Sequence, residues 1–333
     1  MRNNFSGFRF HCAQIRNGLH YLLTCLRFRA DIAIVSMGTH WFMLVPLRWL
    51  GIRVVPNLVN TLWRPNVPLT WAQRIVQSLD RLLFSRCAMA ILTASCDISA
   101  QVTKLTRGKN RPIVEFMPLY RRELFRQVTN IPVQRDPFRI FFAGQIEVDK
   151  GVFDLLEIAR RFDGMGRSDI VFDLCGDGSA LPALRRELER SELEAKFRCH
   201  GHCDHSRMIE LLGKAHVGIV PTRSDFCEGF NQVVVECLLA GRPVVTSAVC
   251  PAIRYVGDAV VEVPPNDVAA YGDALLRLRD DETFYQRKQQ CCAQVQEQFY
   301  DSRNSWASAL GDVLAACASR RAAVSRRIAA NHP

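Results

Sequence analysis

The amino-acid sequence of 333 residues predicts an α/β protein with parallel sheets in two domains. Short apolar runs alternate with amphipathic segments along most of the chain, which is the pattern of strands joined by helices. Residues 216–247 show this pattern most clearly, because two short apolar strands enclose one helix there. The length is sufficient for two domains, each with a core of its own.

The amino-terminal half is expected to contain alternating strands and helices. Apolar periodicity predicts strands at 31–35, 52–58, 88–93 and 113–117, and helices from about Ile15, over 41–50 and over 79–84. Residues 121–137 lack periodicity and contain Pro132 and Pro137, so the interdomain linker is expected there. The predicted organisation is an amino-terminal domain over 1–135, a second domain over 136–312 and a basic helix or tail over 313–333.

The carboxyl-terminal half continues the alternation. The predicted strands are 138–143, 169–175, 217–220, 243–246 and 259–263, and the predicted helices are 152–162, 181–190, 208–214, 231–240, 268–298 and 306–318. Gly241 and Pro243 end the helix at 231–240, because glycine suits a left-handed C-cap and proline stops the helix from continuing.

Two glutamates, Glu228 and Glu236, lie on either side of the turn from a loop into a helix. Glu228 follows a strand, at the edge of a parallel sheet where ligands bind. Glu236 lies over a turn into the helix, so both side chains can reach one bound molecule. The backbone N–H groups of Gly229, Phe230 and Asn231 suit an anionic or hydroxyl-rich ligand. Their spacing alone favours a structural alternative, in which Glu228 is a helix-entry carboxylate and Glu236 a solvated helical residue.

This run, Glu-Gly-Phe-Asn-(four residues)-Glu followed by Ala-Gly-Arg-Pro-Val-Val, resembles the donor-site signature of retaining glycosyltransferases of family 4. Asn231 departs from the pattern, which usually has glycine there. The resemblance implies the GT-B fold, with two Rossmann-like domains whose parallel sheets face a cleft. It also implies a hexosyltransferase-type enzyme that moves a sugar from a nucleotide-diphosphate sugar to a glycan or lipid-linked acceptor, with retention of anomeric configuration.

The loop from Gly144 to Gly151 is a second candidate for donor binding. It lies between a strand and a helix N-terminus, where backbone N–H groups can cradle phosphates, and Lys150 adds a positive charge. The alternative is that Lys150 is an ordinary surface lysine. The family pattern has Arg and Lys here, and Gln145 stands where Arg is usual, so weaker or altered donor binding is expected. The later Gly176-Asp-Gly178 turn matches the family at the equivalent place.

The amino-terminal domain departs further from the family. Members normally open with a strand and a glycine-rich turn, whereas this sequence has no such strand before its first helix, so this domain is expected to lack its first strand or strands. Members often have a histidine close to the transferred sugar, where this sequence has Val59 and Asn60. His40 is the remaining polar candidate for the sugar site, and its structural alternative is a hydrogen-bonded histidine.

The resemblance therefore implies two sets of site residues. The catalytic set is Glu228, Lys150 and His40, and the donor-binding set is Gly144, Gln145, Lys150, Gly229, Phe230, Asn231 and Glu236. No metal ion or other cofactor is expected, because cationic side chains and a helix N-terminus can neutralise the diphosphate. Residues 199–205 contain Cys and His in a spacing that matches no common zinc site, so metal binding is not favoured there either.

Charge and cysteine content indicate the partners and the compartment. The first 135 residues carry 19 Lys and Arg against 5 Asp and Glu, whereas the remainder is close to neutral. A basic amino-terminal half fits an anionic membrane surface or an anionic acceptor. Nucleic acid fits the charge but has no recognition motif here. Thirteen scattered cysteines without a secretory signal favour the cytoplasm, and no apolar run reaches the length of a membrane span, so a peripheral location at the inner face of the membrane is expected.

Three alternatives remain. A catalytically inactive GT-B relative that binds partners would explain the missing strand together with Gln145 and Val59. A nucleotide-sugar epimerase on the same fold would need acid/base carboxylates and histidines that the sequence does not reveal. A dinucleotide oxidoreductase would need Gly-x-Gly-x-x-Gly/Ala after a strand, and the nearest approach has Leu181 at the third position.

Overall fold

The computed structural model describes residues 7–64, 67–128, 132 and 134–316. They divide into two compact units. The first lies within Met1–Leu62, Pro68–Leu119 and Asp301–Pro333, and the second within Trp63–Val67 and Tyr120–Tyr300. The chain thus passes into the second unit at Tyr120, ahead of the predicted boundary at 135/136, and returns to the first unit at Asp301.

The first unit is a four-stranded parallel sheet with helices between its strands. Its elements in chain order are α1 (Phe8–Arg27), β1 (Ile32–Val35), a 3₁₀ turn (Trp41–Leu44), α2 (Val45–Trp49), β2 (Arg53–Leu58), α3 (Trp71–Leu82), β3 (Ile91–Thr93), α4 (Cys96–Thr106), β4 (Ile113–Glu115) and a closing helix over 306–316. The strands lie in the order β1-β2-β3-β4, so each strand pairs with its neighbour in sequence.

The closing helix packs on this sheet. Its Ala309 and Val313 join Val55, Ala90 and Leu92 in one buried apolar cluster. The indole N–H of Trp306 donates a hydrogen bond of 3.1 Å to Asn57 Oδ1 at the end of β2. The carboxyl-terminal helix therefore completes the core of the amino-terminal unit, which explains why the chain returns to it.

Two helices of the first unit are longer than the sequence predicts. Helix α1 begins at Phe8 rather than near Ile15. Helix α3 begins at Trp71, because Thr70 and Gln73 form a capping box in which each side chain accepts a hydrogen bond from the other residue's backbone N–H. The segment 79–84, predicted to lie in a helix, thus forms the end of a longer helical stretch that begins at Trp71 and continues through a π-helical turn at Leu83–Cys87.

The second unit is a six-stranded parallel sheet in the order β10-β9-β8-β5-β6-β7. Its elements are β5 (Phe138–Ala143), α5 (Val152–Gly164), β6 (Ile170–Cys175), α6 (Leu181–Arg190), β7 (Phe197–Gly201), α7 (His205–Lys214), β8 (Val217–Val220), α8 (Gln232–Leu239), β9 (Val244–Ser247), α9 (Ile253–Val256), β10 (Val260–Val263), α10 (Val268–Asp280) and α11 (Glu282–Val295). Strands β5 and β8 and helix α6 have the predicted bounds.

The core of the second unit lies between the sheet and its helices. Helix α5 contributes six buried residues to it, among them Leu155, Ile158 and Phe162, whereas its outward side is charged. Strands β6, β8 and β9 of the sheet interior are completely buried, and the central strand β5 is buried at four of its six positions. This burial on both faces is what their continuous apolar sequences predict, and it fixes the loops at the strand ends.

Candidate functional site

The candidate site lies at the carboxyl edge of the six-stranded sheet. Strand β5 is central and pairs with β6 on one side and β8 on the other. The chain order therefore reverses direction at β5, and the loops that follow β5 and β8 leave the sheet on either side of this point. Open α/β sheets bind ligands at such a switch point. The loop after β5 holds Gly144, Gln145 and Lys150, and the loop after β8 holds Glu228.

The loop after β5 is fastened to the turn after β6 by backbone hydrogen bonds. Ile146 N–H donates to the Asp177 carbonyl at 2.9 Å, and Gly144 N–H donates to the Cys175 carbonyl at 3.0 Å. Gly176 has φ +147°, and a Cβ atom there would overlap the Gly144 carbonyl oxygen. Glycine is therefore required where these two chain segments cross. This is the steric reason for the first glycine of the Gly-Asp-Gly turn.

Lys150 and Glu228 form an ion pair across the two loops. Lys150 Nζ lies 2.7 Å from Glu228 Oε2, and their side chains are 16% and 11% exposed. Thr222 Oγ1 donates a hydrogen bond of 3.3 Å to the same carboxylate, and the Lys150 ammonium lies 3.8 Å from the centre of the Phe226 ring. The sequence did not predict these contacts, although Thr222 and Phe226 stand in the loop that carries Glu228. Lys150 is thus a partly buried, paired lysine rather than an ordinary surface lysine.

The loops after β5 and β8 also touch through their backbones. Gly151 has φ +75°, and a Cβ atom there would overlap the Pro221 carbonyl oxygen. Arg223 N–H donates to the Asp149 carbonyl at 2.9 Å, and the Arg223 guanidinium pairs with Asp154 at 2.8 Å. Burial and the nearby Asp225 charge raise the pKa of Asp149. These contacts hold the segment around Lys150 against the loop after β8.

The predicted donor-binding residues Phe230 and Asn231 have distinct surroundings. The Phe230 ring packs against the rings of Tyr255 and Phe299, with centroids 5.4 and 6.4 Å apart. Asn231 is the N-cap of α8, and its buried Oδ1 makes no hydrogen bond. Gly229 N–H lies 3.4 Å from Glu228 Oε1. The half-buried Phe230 therefore holds this loop against the aromatic rings of Tyr255 and Phe299, beside a polar helix start.

Glu236 is a half-buried residue of α8 rather than a solvated one. Burial raises the pKa of its carboxyl, while the His205 charge and a hydrogen bond from Tyr120 lower it. The Tyr120 hydroxyl lies 3.5 Å from Glu236 Oε1, a long hydrogen bond. Tyr120 was not among the predicted residues, since it lies 116 positions away in the sequence.

A cavity of about 280 Å³ lies beside the loop after β5. Its lining includes Gly144, Gln145, Gly176, Asp177, His202 and Cys203. A larger groove of about 640 Å³ lies between α5 and α6, but it holds none of the predicted residues. There Glu187 pairs with Arg160 at 2.9 Å and with Arg190 at 2.8 Å, so its charges satisfy one another. The smaller cavity is therefore the one that bears on the candidate site.

His40 belongs to the first unit. Its ring Nε2 lies 3.0 Å from His11 Nδ1, and the ring stacks on those of His11 and Phe42. Burial and the His11 charge lower the pKa of His40. These contacts agree with a hydrogen-bonded histidine, and a role at the sugar stays a prediction.

The cysteine and histidine residues at 199–205 have partners of other kinds. His200 Nε2 lies 2.8 Å from Asp173 Oδ1, and Cys203 Sγ lies 3.5 Å from the Gly201 carbonyl. Within the described ranges, no three His, Cys, Asp or Glu side chains are gathered in a way that could hold a metal ion.

Comparisons with known proteins agree with this geometry. The family model described as glycosyl transferases group 1 matches residues 122–295, which is more than half of the chain. Glycogen synthase of Mycobacterium tuberculosis is 27% identical over 164 residues, covering 47% of this chain and 38% of that protein. The 2-deoxystreptamine N-acetyl-D-glucosaminyltransferase of Niallia circulans is 26% identical over 142 residues. That match covers 42% of this chain and 35% of that protein.

A solved structure has a similar fold. The structure of Anabaena HepE in complex with UDP has a TM-score of 0.70 at 14% identity, covering 91% of this chain and 82% of that chain. Together with the two parallel sheets, this confirms the predicted GT-B fold class. The chain spans less than half of the length of the two curated relatives named above.

Proposed function

The chain belongs to the glycosyl transferases of group 1, and from this premise we propose that it transfers a sugar from a nucleotide-diphosphate donor to a glycan or lipid-linked acceptor. The observation that carries the proposal is the Lys150–Glu228 ion pair at the switch point of the sheet. It brings together a cation for phosphate and a carboxylate for sugar hydroxyls, on two loops that backbone contacts hold in register.

Lys150 and the loop before it are the proposed diphosphate site. The Lys150 ammonium exchanges Glu228 for the donor's phosphate oxygens, and backbone N–H groups near Gly144 add hydrogen bonds. Gln145 contributes a neutral contact in place of the usual arginine. The freed Glu228 carboxylate and the backbone of Gly229 to Asn231 bind the sugar hydroxyls, and the Glu236 carboxylate accepts hydrogen bonds from the ribose.

The proposed reaction breaks the bond between the sugar's anomeric carbon and the diphosphate oxygen. The acceptor hydroxyl attacks the anomeric carbon from the face that the diphosphate leaves and gives its proton to the departing phosphate oxygen, so configuration is retained. Negative charge grows on the leaving phosphate, and Lys150 stabilises it electrostatically. Side-chain and backbone donors at the loop after β5 suffice for this role without a metal ion. His40 is retained as a proposed contact of the sugar.

Uracil is the proposed base of the donor, because HepE was solved in complex with UDP. The cavity beside Gly144 and Gly176 is the proposed position of the nucleotide, with His202 and Cys203 on its far wall. A cytoplasmic location remains part of the proposal, since nucleotide sugars are the donors.

A calorimetric titration against UDP-, GDP- and ADP-sugars tests the proposal. The purified chain is expected to bind one donor, and Glu236→Ala is expected to weaken that binding at least about tenfold through lost ribose hydrogen bonds. Glu262→Ala, an exposed glutamate on β10, is the matched control and is expected to leave binding unchanged.

The outcomes separate the alternatives. Binding of a donor, followed by transfer of its sugar to an added acceptor with release of the nucleotide diphosphate, supports the transferase. Binding without turnover favours an inactive relative, and conversion of the donor into its epimeric nucleotide sugar favours an epimerase. No binding to any donor contradicts the proposal.

A further inference from the structure

Helix α1 of the first unit exposes its apolar face. Phe8, Ile15, Leu19, Leu23 and Leu26 recur at intervals of three, four or seven residues, and each is between 43% and 84% exposed. Residues at this spacing lie along one side of a helix. Within α1 the only buried residue is Gly18. The stripe therefore runs along the outward side for almost the whole length of the helix.

Helix α3 repeats the arrangement. Trp71, Ile75, Leu79 and Leu82 are 77%, 52%, 47% and 41% exposed, and they too follow the helical spacing. The only buried residue of α3 is Asp80. An amphipathic surface helix normally buries its apolar side and exposes its charges. Both helices instead expose their apolar side.

Polar contacts fix α1 in this orientation. Asn17 donates to the Gly38 carbonyl at 2.9 Å, and the Tyr21 hydroxyl donates to the Met37 carbonyl at 3.0 Å. A Cβ atom on Gly18 would lie 2.6 Å from Thr39 Oγ1, so the helix backbone lies directly against the following loop. Rotating the apolar stripe inward would break these contacts.

A single buried carboxylate fixes α3 in the same way. Asp80 Oδ1 accepts a hydrogen bond of 2.8 Å from Phe42 N–H, in the 3₁₀ turn at Trp41–Leu44. Helix α1 contacts the same turn, as does α3. Both helices are therefore anchored at this turn of the first unit.

The charges beside these stripes have one sign. Arg9, Arg16 and Arg27 are exposed on α1, and Arg74 and Arg86 are exposed on and just after α3. The first 96 residues contain eleven Arg and two Asp, and no Lys or Glu. One of the two aspartates is the buried Asp80. Such a face repels cations and attracts anions, and its guanidinium groups match phosphate geometry.

We propose that the outward faces of α1 and α3 bind the surface of an anionic lipid bilayer, with both helices lying in the interface. The apolar side chains enter the boundary between headgroups and acyl chains, Trp71 lies at headgroup depth, and the arginines pair with lipid phosphates. No helix in the described part of the chain is long and apolar enough to cross a bilayer. The membrane partner that the basic charge of the amino-terminal half predicts is thereby assigned to the faces of two helices. This binding does not depend on the sugar-transfer reaction.

Vesicle flotation tests this surface. The full chain is expected to float with vesicles of phosphatidylcholine and phosphatidylglycerol, weakly with phosphatidylcholine alone, and less as salt is added. The double variant Trp71→Ser and Ile75→Ser is expected to lower the partition coefficient at least about tenfold. Met165→Ser, a 53% exposed residue of the second unit, is the matched control and is expected to float like the wild type.

Several results would overturn the proposal. If the wild-type protein floats with neither kind of vesicle, or if the double variant floats as well as the wild type, the proposal is contradicted. A dimer that the variant dissociates, without flotation, would assign the face to a second copy of the chain. The variant's circular dichroism spectrum and its midpoint of urea unfolding, both expected to match the wild type, report its folding separately. If the variant misfolds, Leu19→Ser with Leu23→Ser on α1 makes the same test.

Discussion

The helices of the second unit bury their apolar faces, whereas α1 and α3 of the first unit expose theirs. Helix α5 contributes six buried apolar residues to its core, while α1 buries only Gly18 and α3 only Asp80. The second unit is therefore held by packing, and its polar groups are gathered in loops at one sheet edge. The first unit is held in part by polar contacts and leaves apolar surface for a partner.

This difference separates two kinds of binding. The loops after β5, β6 and β8 hold a paired lysine and glutamate beside a cavity, which suits a small charged ligand. The exposed faces of α1 and α3 are long and apolar with arginine flanks, which suits an extended anionic surface. Each prediction below removes one feature on which this contrast depends.

The largest effect is expected from Lys150→Ala. Removing the cation that stabilises the leaving diphosphate should lower kcat/KM for the donor about 10²–10³-fold. Steady-state release of the nucleotide measures the change. Lys214→Ala, an exposed lysine on α7 paired with Glu210, is the control and should retain the wild-type rate. A Lys150→Ala rate within about threefold of the wild type would remove Lys150 from the site.

Gly176→Ala should destabilise the second unit strongly. A methyl group there overlaps the Gly144 carbonyl oxygen, so the two loops must separate. We expect the free energy of unfolding to fall by about 3 kcal/mol, measured by urea unfolding followed by circular dichroism. The control is Gly166→Ala, where φ is +71° but nothing lies within 4 Å. That variant reports the backbone cost alone, about 1 kcal/mol. Equal losses in the two variants would contradict the close crossing of the loops.

Asp80→Asn should change the pH dependence of stability. Burial raises the pKa of Asp80 to about 7 from its ordinary 3.8, so the folded chain binds this proton more tightly than the unfolded chain. The resulting stabilisation is fully present below pH 3.8 and is lost as the pH rises through about 7. Asparagine cannot titrate and still accepts the Phe42 N–H hydrogen bond. We expect the difference between wild type and variant to change by about 2 kcal/mol from pH 5 to pH 8. A difference that is constant with pH would show that Asp80 is not buried as an acid.

Much of the second unit could be predicted from its sequence, because apolar burial sets its elements. The strands at 138–143 and 217–220 and the helix at 181–190 have the predicted bounds. The first unit was less predictable, because polar contacts rather than apolar burial set the start and the orientation of its helices. Its helix α3 starts at a capping box formed by Thr70 and Gln73, a local signal that apolar periodicity does not contain.

The contacts within the candidate site could not be predicted from the sequence. Lys150 and Glu228 could each be identified from a local pattern, yet their ion pair joins positions 78 apart in the sequence. It arises because β5 and β8 are neighbours in the sheet, which only the strand order reveals. The hydrogen bond between Tyr120 and Glu236 has the same origin in tertiary structure. The outward orientation of α1 was likewise hidden, since its polar contacts are with the loop at Met37–Thr39.

Hydrogen–deuterium exchange of the full chain tests the central contrast most directly, with UDP in one sample and anionic vesicles in another. With UDP, we predict slower exchange in the loops at 144–151, 176–178 and 228–236, and unchanged exchange in α1 and α3. With vesicles, we predict the converse, with slower exchange in α1 and α3. Two results would contradict the assignment of donor and membrane surface to different units. In one, both ligands protect the same segments; in the other, neither ligand protects the segments assigned to it.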